Sequence, residues 1–414
     1  MSRVLVVGGS LGGLMAANVL LRAGFEVTVL EKATASLDGR GAGIVTHRPL
    51  IDALARCGVP SDASLGVAVE QRVVLDAAGQ TITHTRMPQV LTSWSRLYAL
   101  LLQALPADRY VRGASLTSLT QSADGVQVFC EDGRRFEADV LVASDGIRSS
   151  VRAALAPEVK AEYAGYVAWR GVCDEAVLSK FTLDTVFETF GFGLPAGEQI
   201  IGYPVAGQGN SVAKGQRRYN FVWYRPASDN GALQDLMTDA DGQHHPLGLP
   251  PNKVSWRHVA QARAAAREKL APQFAEILEK TAQPFLQPIY DAYSTRIAFD
   301  RVALMGDAAF VARPHVGMGV TKAAQDAVAL CDAMLAHGAT AQALQAYESQ
   351  RLPAGQAAVE RGRRLGAYMQ ATAGGQLALR DADAVMRQTA MDVSLIDPAP
   401  LSPQPSTELS SLPT

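Results

Sequence analysis

The stretch RVLVVGGSLGGLMAANVLLRAGFEVTVLE, residues 3–31, decides the fold of this chain. Its apolar run Arg3 to Val7 is typical of a buried strand, and Glu26 to Leu30 is a second run of the same kind. Between them, Leu14 to Ala23 has the apolar spacing of a helix, and Gly24 is a helix stop. The stretch therefore predicts a strand, a glycine turn, a helix and a second, parallel strand.

The turn Gly8-Gly9-Ser10-Leu11-Gly12-Gly13 has the features of a pyrophosphate-binding site. Backbone N–H groups at the start of a helix are unpaired, and the helix dipole adds positive charge there. Glu31 ends the second strand, where its carboxylate can accept hydrogen bonds from both hydroxyls of a ribose. Ser10 stands where glycine is usual, with a small side chain beside the phosphate. The turn predicts a bound dinucleotide and is compatible with either NAD or FAD.

Composition places the chain among ordinary globular proteins. Its 414 residues exceed one typical domain, so two domains are the default. The formal charge of -2 gives no indication of a nucleic-acid partner. The N-terminus begins with a strand and lacks the pattern of a cleaved leader, and no apolar run approaches the ~20 residues that span a bilayer. We therefore predict a cytoplasmic protein with no membrane or nucleic-acid partner.

Cysteine and histidine positions argue against a metal site. The pair His244-His245 lies in a stretch rich in Gly, Asp and Pro without further ligands at suitable spacing, which favours an exposed loop. The cysteines also lack the spacing of metal ligands or redox pairs, so we expect reduced packing residues. They are Cys57, Cys130, Cys173 and Cys331.

The later patterns predict that a second sheet is inserted into an α/β fold. Alternating, aromatic-rich strands between about residues 164 and 224 suit an antiparallel sheet with one face lining a cavity. They include Thr185 to Phe192, and a helix over roughly 257–280 follows. The strand Val302 to Met305 then returns the chain to the first domain. Two helices end the pattern: about Thr321 to His337, and Ala341 to Ala371 with Thr340 as N-cap and a break near Pro353.

Three blocks occur in an order that carries a family resemblance. The first is the glycine turn with Glu31, and the second is Val142-Ala-Ser-Asp-Gly-Ile-Arg148. The third is Leu304-Met-Gly-Asp-Ala-Ala309, followed by Arg313-Pro-His-Val-Gly-Met-Gly319 and Asp326-Ala327. Together they resemble the aromatic-ring hydroxylase family of flavin monooxygenases, whose fold is typified by para-hydroxybenzoate hydroxylase.

This resemblance implies FAD as cofactor. The second block would help to hold FAD and serve the nicotinamide donor, and Asp307 would bind the flavin-side ribose. Arg40, in a glycine-rich loop, could pair with phosphate, and Arg96 matches a family position that contacts FAD; both are equally compatible with a surface arginine. The candidate FAD-binding residues are Gly8, Ser10, Leu11, Gly13, Glu31, Lys32, Arg40, Gly43, Arg96, Asp145, Gly146, Gly306, Asp307, Pro314, Gly317, Met318, Gly319 and Val320.

The resemblance also implies how the chain is divided. We assign residues 1–75, 96–160 and 295–340 to a Rossmann-like FAD-binding domain, and 76–95 and 161–294 to an inserted antiparallel-sheet substrate domain. Residues 341–397 would form a C-terminal helical region, and 398–414, dense in Pro and Ser, a disordered tail.

Four further segments are similar to those of the dihydroxypyridine hydroxylases within this family. They are Tyr163–Val172, Tyr219–Tyr224, Asp235–Asp239 and Arg313–His315. The similarity implies a homodimer that uses NADH or NADPH and O2 to hydroxylate an electron-rich hydroxypyridine or phenol through a flavin hydroperoxide. Such a reaction needs a dry pocket and a base or positive partner near the ring hydroxyl.

Four residues are candidates for that chemistry. His315 is the first candidate for the base, because an ordinary histidine pKa of ~6.5 suits proton transfer near neutrality, although it could also be a packing residue. Tyr203 and Tyr224 could bind a ring hydroxyl or belong to the core. Arg170 alternates with Trp169, so one of the two can face the cavity, unless Arg170 has a buried partner.

Two alternatives fit the same fold. One is a flavin oxidoreductase that does not insert oxygen, and the other is a non-catalytic flavin-binding protein. Incorporation of oxygen from O2 into a product separates the first alternative from a hydroxylase, and turnover of any aromatic compound excludes the second.

Overall fold

The computed structural model describes residues 1–37, 43–60, 65–246, 248–370 and 380–391. Arg40 and the predicted tail from residue 398 lie outside these described residues. The strands in chain order are β1 (Arg3–Val7), β2 (Glu26–Glu31), β3 (Gly43–Val45), β4 (Val67–Leu75), β5 (Thr81–Ser93), β6 (Tyr110–Arg112), β7 (Leu116–Gln121), β8 (Val126–Cys130), β9 (Arg135–Ala138), β10 (Val140–Ala143), β11 (Glu162–Asp174), β12 (Phe190–Gly193), β13 (Gln199–Val205), β14 (Arg218–Pro226), β15 (Phe285–Asp291), β16 (Ala298–Phe299) and β17 (Val302–Leu304).

The helices alternate with these strands in the first part of the chain and dominate its end. They are α1 (Leu11–Arg22), α2 (Arg48–Arg56), α3 (Trp94–Ala104), α4 (Ser150–Leu155), α5 (Lys180–Thr182), α6 (Ala232–Leu236), α7 (Trp256–Lys269), α8 (Pro272–Lys280), α9 (Gly319–His337), α10 (Ala341–Gln370) and α11 (Ala382–Gln388).

The first sheet confirms the predicted Rossmann-like α/β unit. Its six strands have the order β16-β17-β10-β1-β2-β6, and all neighbours are parallel except β16 with β17. The run Val4 to Val7 is fully buried because helices cover both faces of such a sheet. Helix α1 begins at Leu11, three residues before the predicted Leu14, so the glycine turn itself forms the start of the helix.

The second sheet has eight strands in the order β15-β11-β14-β13-β12-β4-β5-β3. Its neighbours are antiparallel except β12 with β4, which run parallel. One face packs on α7 and α8 through Trp169, Phe274 and Ile277, and the opposite face lines a cavity at Arg170. The alternation along β11 therefore places Trp169 in the core and Arg170 at the cavity.

The sheet pairing bears on where the substrate domain begins. Strands β3 and β4 pair within the eight-stranded sheet. Both lie in residues 1–75, which were predicted to belong to the FAD-binding domain. The pairing of β4 with β12 joins positions more than 100 residues apart, and no local pattern specifies it. The division of the chain into domains otherwise stays a prediction.

Three predicted elements differ from the structure. The expected helix over 257–280 is two helices, because Pro272 begins α8 and cannot continue α7. The predicted strand Thr185 to Phe192 begins as a π-helical turn, Leu183–Phe187, before β12. The expected break at Pro353 is absent: α10 runs through it, with Thr340 accepting a hydrogen bond from the Ala343 N–H as predicted.

The cysteines, the histidine pair and the helices bear on three further predictions. All four cysteines are free and buried, as predicted. His245 Nε2 lies 2.8 Å from Asp239 Oδ2, and the described residues contain no group of three or more His, Cys, Asp or Glu side chains that could hold a metal. In the part of the chain that the structure describes, no helix has the length and apolar character needed to cross a bilayer.

The continuity of α10 gives a prediction about Pro353. Its ring is exposed, while Tyr347 and Val359 are buried on either side and hold the helix in place. Pro353→Ala should restore a helical hydrogen bond without loss of packing and stabilise the protein by about 1–2 kcal/mol. Thermal and urea unfolding of both proteins measure this difference, and an unchanged or lower midpoint would contradict it.

Candidate FAD and substrate site

Two adjoining cavities follow the carboxyl edge of the first sheet and the inner face of the second. The first has a volume of about 220 Å³ and the second about 320 Å³, and Trp94 lines both. The first brings together Gly8, Ser10, Glu31, Lys32, Asp145 and Gly146. The second brings together Gly43, Asp307, Pro314, Gly317, Gly319 and Val320 with Arg170, Tyr203 and Tyr224.

The remaining candidates lie beside these cavities. Leu11, Gly13, Gly306 and Met318 are buried within the turns that form the walls. Arg96 lies in the first turn of α3, with its backbone N–H donating to Ser93 Oγ at 3.1 Å, and it is not among the cavity-lining residues. Trp94, at the start of the same helix, lines both cavities but was not predicted from the sequence. Its aromatic side chain two positions before Arg96 was the signal that could have indicated it.

The glycine turn has no room for side chains. A Cβ on Gly13 would lie 1.8 Å from the carbonyl oxygen of Gly8, and one on Gly8 would lie 2.3 Å from that of Ser144. Gly8 also has a φ of 104°, which favours glycine. Ser10 precedes α1 and its hydroxyl does not cap the helix. The first N–H groups of α1 are therefore available to a phosphate.

Glu31 is held against this turn by two backbone hydrogen bonds. The Gly9 N–H donates to Oε2 and the Ala33 N–H donates to Oε1, each at 2.8 Å. The Tyr110 hydroxyl donates to the Gly9 carbonyl at 2.9 Å and supports the same turn. Each carboxylate oxygen has a further lone pair, so Glu31 remains able to accept hydrogen bonds from ribose hydroxyls, and its role in binding ribose stays a prediction.

The hydrogen bonding of Asp145 indicates whether the first cavity suits a cofactor. Its Oδ2 accepts the Ser150 N–H at 2.8 Å, while Oδ1 is buried and has no partner among the described residues. Burial raises the pKa of this carboxyl. A buried acceptor without a donor is costly, so a ligand that supplies an O–H or N–H at the cavity would satisfy it. The residues present thus fit FAD.

A buried charge network fixes the Gly306-Asp307 turn. Lys322 Nζ donates to the Gly306 carbonyl at 2.7 Å, and the Gly306 N–H donates to Asp326 Oδ2 at 3.0 Å. Arg351 Nε pairs with Asp326 Oδ1 at 2.7 Å. The carboxylate of Asp307 is thereby held at the second cavity, where the surrounding protein raises its pKa and Lys322 opposes that rise. Lys322 and Arg351 were not predicted.

The start of α9 faces the second cavity. Gly319 and Val320 line it, and Gly317 precedes them with a φ of 63°, so the chain turns sharply into the helix. Thr321 Oγ1 lies 2.9 Å from His47 Nδ1, which ties the first turn of α9 to the residue before α2. This geometry directs N–H groups and the positive end of a 19-residue helix at the cavity.

The substrate side of the cavity carries two phenols and one cation. Burial raises the pKa of Tyr203 to about 12 and that of Tyr224 further, so both stay protonated near neutrality. The Tyr224 hydroxyl has no partner among the described residues. Arg170 donates to Gln287 Oε1 at 2.7 Å, so its partner is a neutral amide. Tyr224 and Arg170 can both donate to a bound oxygen.

His315 differs from its prediction in one respect. It is buried beneath the cavity, where Nε2 lies 2.9 Å from the Tyr166 hydroxyl and the ring centroid 4.0 Å from that of Tyr224. Burial, followed by the charges of Arg380 and Arg313, lowers its pKa to about 3. The expectation of an ordinary pKa near 6.5 is therefore wrong, because the ring is buried in the core beside the positive charges of Arg380 and Arg313.

Comparison with known proteins agrees with this geometry. A family model described as FAD binding domain-like matches residues 163–291. The 2,6-dihydroxypyridine 3-monooxygenase of Paenarthrobacter nicotinovorans is 31% identical over 369 residues, which is 89% of this chain and 91% of that protein. The 3-hydroxybenzoate 6-hydroxylase of Klebsiella oxytoca is 27% identical, covering 85% of this chain and 84% of that protein.

A solved structure shows the same fold throughout. The structure of 2,6-dihydroxypyridine-3-hydroxylase from Arthrobacter nicotinovorans matches with a TM-score of 0.85 and 30% identity, covering 93% of this chain and 96% of that one. The fold and site define an FAD-dependent aromatic monooxygenase. The chain belongs to the family of class A FAD-dependent aromatic hydroxylases, as the sequence blocks predicted.

The Glu31 geometry predicts a loss of FAD affinity in Glu31→Gln. An amide has one acceptor, so either Gly9 or Ala33 would face an NH2 group. We expect the dissociation constant of FAD to rise at least about tenfold, or about 1.4 kcal/mol. Flavin fluorescence titration of the apoprotein measures it. Glu26→Gln, at the other end of β2 and paired with Arg109, is the matched control; equal affinities in both variants would refute the role.

The His315 environment predicts a change in acid stability. Its folded pKa of about 3 lies below the ordinary 6.5, so between these values the unfolded chain binds a proton that the folded protein does not. Stability therefore falls as pH drops through this window, by about 2 kcal/mol from this group at pH 5. His315→Gln should lose less stability between pH 7 and pH 5 in urea unfolding, whereas the exposed His337→Gln should match the wild type.

Proposed function

We propose that this enzyme hydroxylates an electron-rich hydroxypyridine of the dihydroxypyridine kind, or a related phenol, with NADH or NADPH as reductant. The observation that carries the proposal is that the second cavity is lined both by Arg170 and by Tyr224, whose hydroxyl has no partner among the described residues. The name and similarity of the Paenarthrobacter nicotinovorans enzyme support the pyridine ring.

Arg170 is the residue that we assign to substrate activation. A positive charge beside the ring hydroxyl lowers the pKa of that hydroxyl, and a deprotonated ring is a better nucleophile. Because Gln287 does not neutralise Arg170, this charge stays available to the substrate. Among the described residues that line the cavity, Asp307 is the only carboxylate, and it belongs to the cofactor side.

The tyrosines orient the ring and do not act as bases. With raised pKa values, Tyr203 and Tyr224 remain donors and cannot accept the proton of the substrate near neutrality. His315 is neutral and lies behind Tyr224, so we assign it a positioning role for that phenol. The substrate hydroxyl then gives its proton to bulk water before the ring is enclosed in the cavity, and binding of the anionic ring by Arg170 favours this loss.

The cofactor end completes the arrangement. Bound FAD supplies the electron transfer and the activation of O2. The start of α9 would stabilise negative charge on the flavin ring, and Glu31, Asp145 and Asp307 would hold the cofactor. Apolar residues, including Ile201, Val222 and Ile289, exclude water from the cavity.

The donor and the assembly are also part of the proposal. The sequence has one clear glycine fingerprint, which we assign to FAD, so NADH or NADPH would bind transiently at the surface shared by the two sheets. On the family resemblance alone, we propose a homodimer, and the cytoplasmic location stays a prediction.

The decisive experiment is a screen of hydroxypyridines and phenols for stimulated NADH and NADPH consumption under 18O2. A product heavier by one 18O atom supports the proposal, and 2,6-dihydroxypyridine is the first compound to test. Substrate-dependent NAD(P)H oxidation without label in the product would show the oxidoreductase alternative instead. Absence of turnover with every hydroxypyridine and phenol would remove the substrate assignment.

Arg170→Met tests the assigned cation. Loss of the charge should lower kcat/KM for 2,6-dihydroxypyridine at least about tenfold and shift the acid limb of the pH–rate profile, where the substrate hydroxyl loses its proton, to higher pH, while FAD binding is unchanged. Arg218→Met, on the neighbouring β14 and paired with the exposed Asp174, is the matched control. Equal kcat/KM values for Arg170→Met and the wild type would exclude Arg170 from substrate binding.

A further inference from the structure

The C-terminal segment forms part of the substrate cavity. Helix α11 is followed by Thr389 and Ala390, and Ala390 lines the cavity with Gly317 and Tyr224. The Ala390 N–H donates to the His315 carbonyl at 2.9 Å. A Cβ on Gly317 would lie 2.5 Å from the Ala390 Cβ, so the segment touches the loop before α9 directly.

A fully buried arginine makes most of the side-chain contacts to this segment. Arg72 on β4 is fully buried, and its Nη1 donates to the carbonyls of Met386 at 2.8 Å and Thr389 at 2.6 Å. Its Nη2 donates to the Ala390 carbonyl at 3.2 Å. Gln89 Oε1 accepts from both Nε and Nη2, at 3.0 and 2.7 Å, and orients the guanidinium.

Among the described residues, the partners of Arg72 are all neutral. Its hydrogen bonds go to three carbonyls and one amide, and the ring of Phe190 lies 4.7 Å from its guanidinium carbon. Burying a cation without a carboxylate partner costs desolvation free energy, and an apolar side chain at the same position would avoid that cost. What an apolar side chain cannot do is hold three carbonyls of one short segment in a fixed geometry.

Other contacts converge on the same residues. His47 Nε2 lies 3.1 Å from the Ala390 carbonyl, and its Nδ1 contacts Thr321 at the start of α9. Arg361 on α10 donates to the Gln388 carbonyl at 2.6 Å. Ala390 adopts a φ of 54°, a conformation that is unfavourable for a residue with a side chain and is kept here by the surrounding contacts.

We propose that Arg72 is a positioning residue for the hydroxylation: it fixes residues 386–390 against the loop 313–319, and Ala390, held in this way, limits the size of the ring that the cavity accepts. The inference rests on the proposed function for the nature of the substrate. Arg72 reaches the reaction through Ala390 and the backbone of His315, and it does not itself line the cavity.

Hydrogen exchange of the FAD-loaded protein tests the positioning step without any substrate. Arg72→Lys keeps the charge and loses the forked geometry, so peptides covering 313–319 and 382–391 should exchange at least about tenfold faster. Arg217→Lys is the matched control, because Arg217 is equally buried and is paired with Glu175 and Glu188 away from the cavity. Unchanged exchange in Arg72→Lys, or an equal increase in both variants, would overturn the proposal.

A milder variant keeps the positioning role testable if the Arg72→Lys protein misfolds. If Arg72→Lys does not fold, Gln89→Leu removes the amide that orients the guanidinium and leaves Arg72 in place. The same two peptides should then exchange faster than in the wild type. Unchanged exchange in a folded Gln89→Leu protein would count against the positioning role.

The size limit is tested with Ala390→Gly. Glycine accepts the observed φ and removes the methyl group, so the ratio of kcat/KM for 4-methyl-2,6-dihydroxypyridine over 2,6-dihydroxypyridine should rise about tenfold. Ala384→Gly, within α11, is the control and should leave the ratio unchanged. An unchanged ratio in Ala390→Gly would remove Ala390 as a size determinant. Failure of the wild type to turn over either compound would refute the substrate assignment, and the exchange experiment would still decide the role of Arg72.

Discussion

The structure depends on a contact between backbones that leaves no space for side chains. Helix α1 crosses β1 so closely that Gly13 meets the carbonyl of Gly8, and Gly8 in turn meets the carbonyl of Ser144 after β10. This contact brings the ends of three elements together and directs the first N–H groups of α1 into the cavity. Glu31 then gains its position from the same turn, through the Gly9 N–H. The phosphate and ribose positions thus follow from one packing constraint.

The second half of the site is held by buried charges instead. Lys322, Asp326 and Arg351 form a chain of hydrogen bonds that ends on both backbone groups of Gly306. Such a network is stable only when each member is satisfied, which makes the turn rigid at the place where Asp307 must meet the cofactor. Arg72 uses the same principle at the C-terminal segment, with carbonyl groups in place of the carboxylate.

The sequence predicted best those features whose cause is local. The glycines and Glu31 occur within one continuous unit of strand, turn, helix and strand, so their spacing specifies their geometry, and the fold class followed from it. The pKa of His315 was predicted wrongly because it depends on burial in the core of the second sheet and on the charges of Arg380 and Arg313. Of these two arginines, Arg380 is 65 positions away in the chain. Arg72 was missed for the same reason, because the pairing of β4 with β12 has no local signature.

The electrostatics of the cavity decide how the ring is activated. A base that acts near neutrality would need a pKa close to 7. The phenols of Tyr203 and Tyr224, which face the proposed substrate, have pKa values that are raised further from this range. The imidazole of His315 behind them has a pKa that is lowered away from it. Burial causes all three shifts, so the dryness that protects the oxygen chemistry also removes bases from the described walls. A fixed cation is compatible with dryness because an arginine keeps its charge. Arg170 can therefore favour the anionic ring in the same apolar cavity in which a histidine would stay neutral.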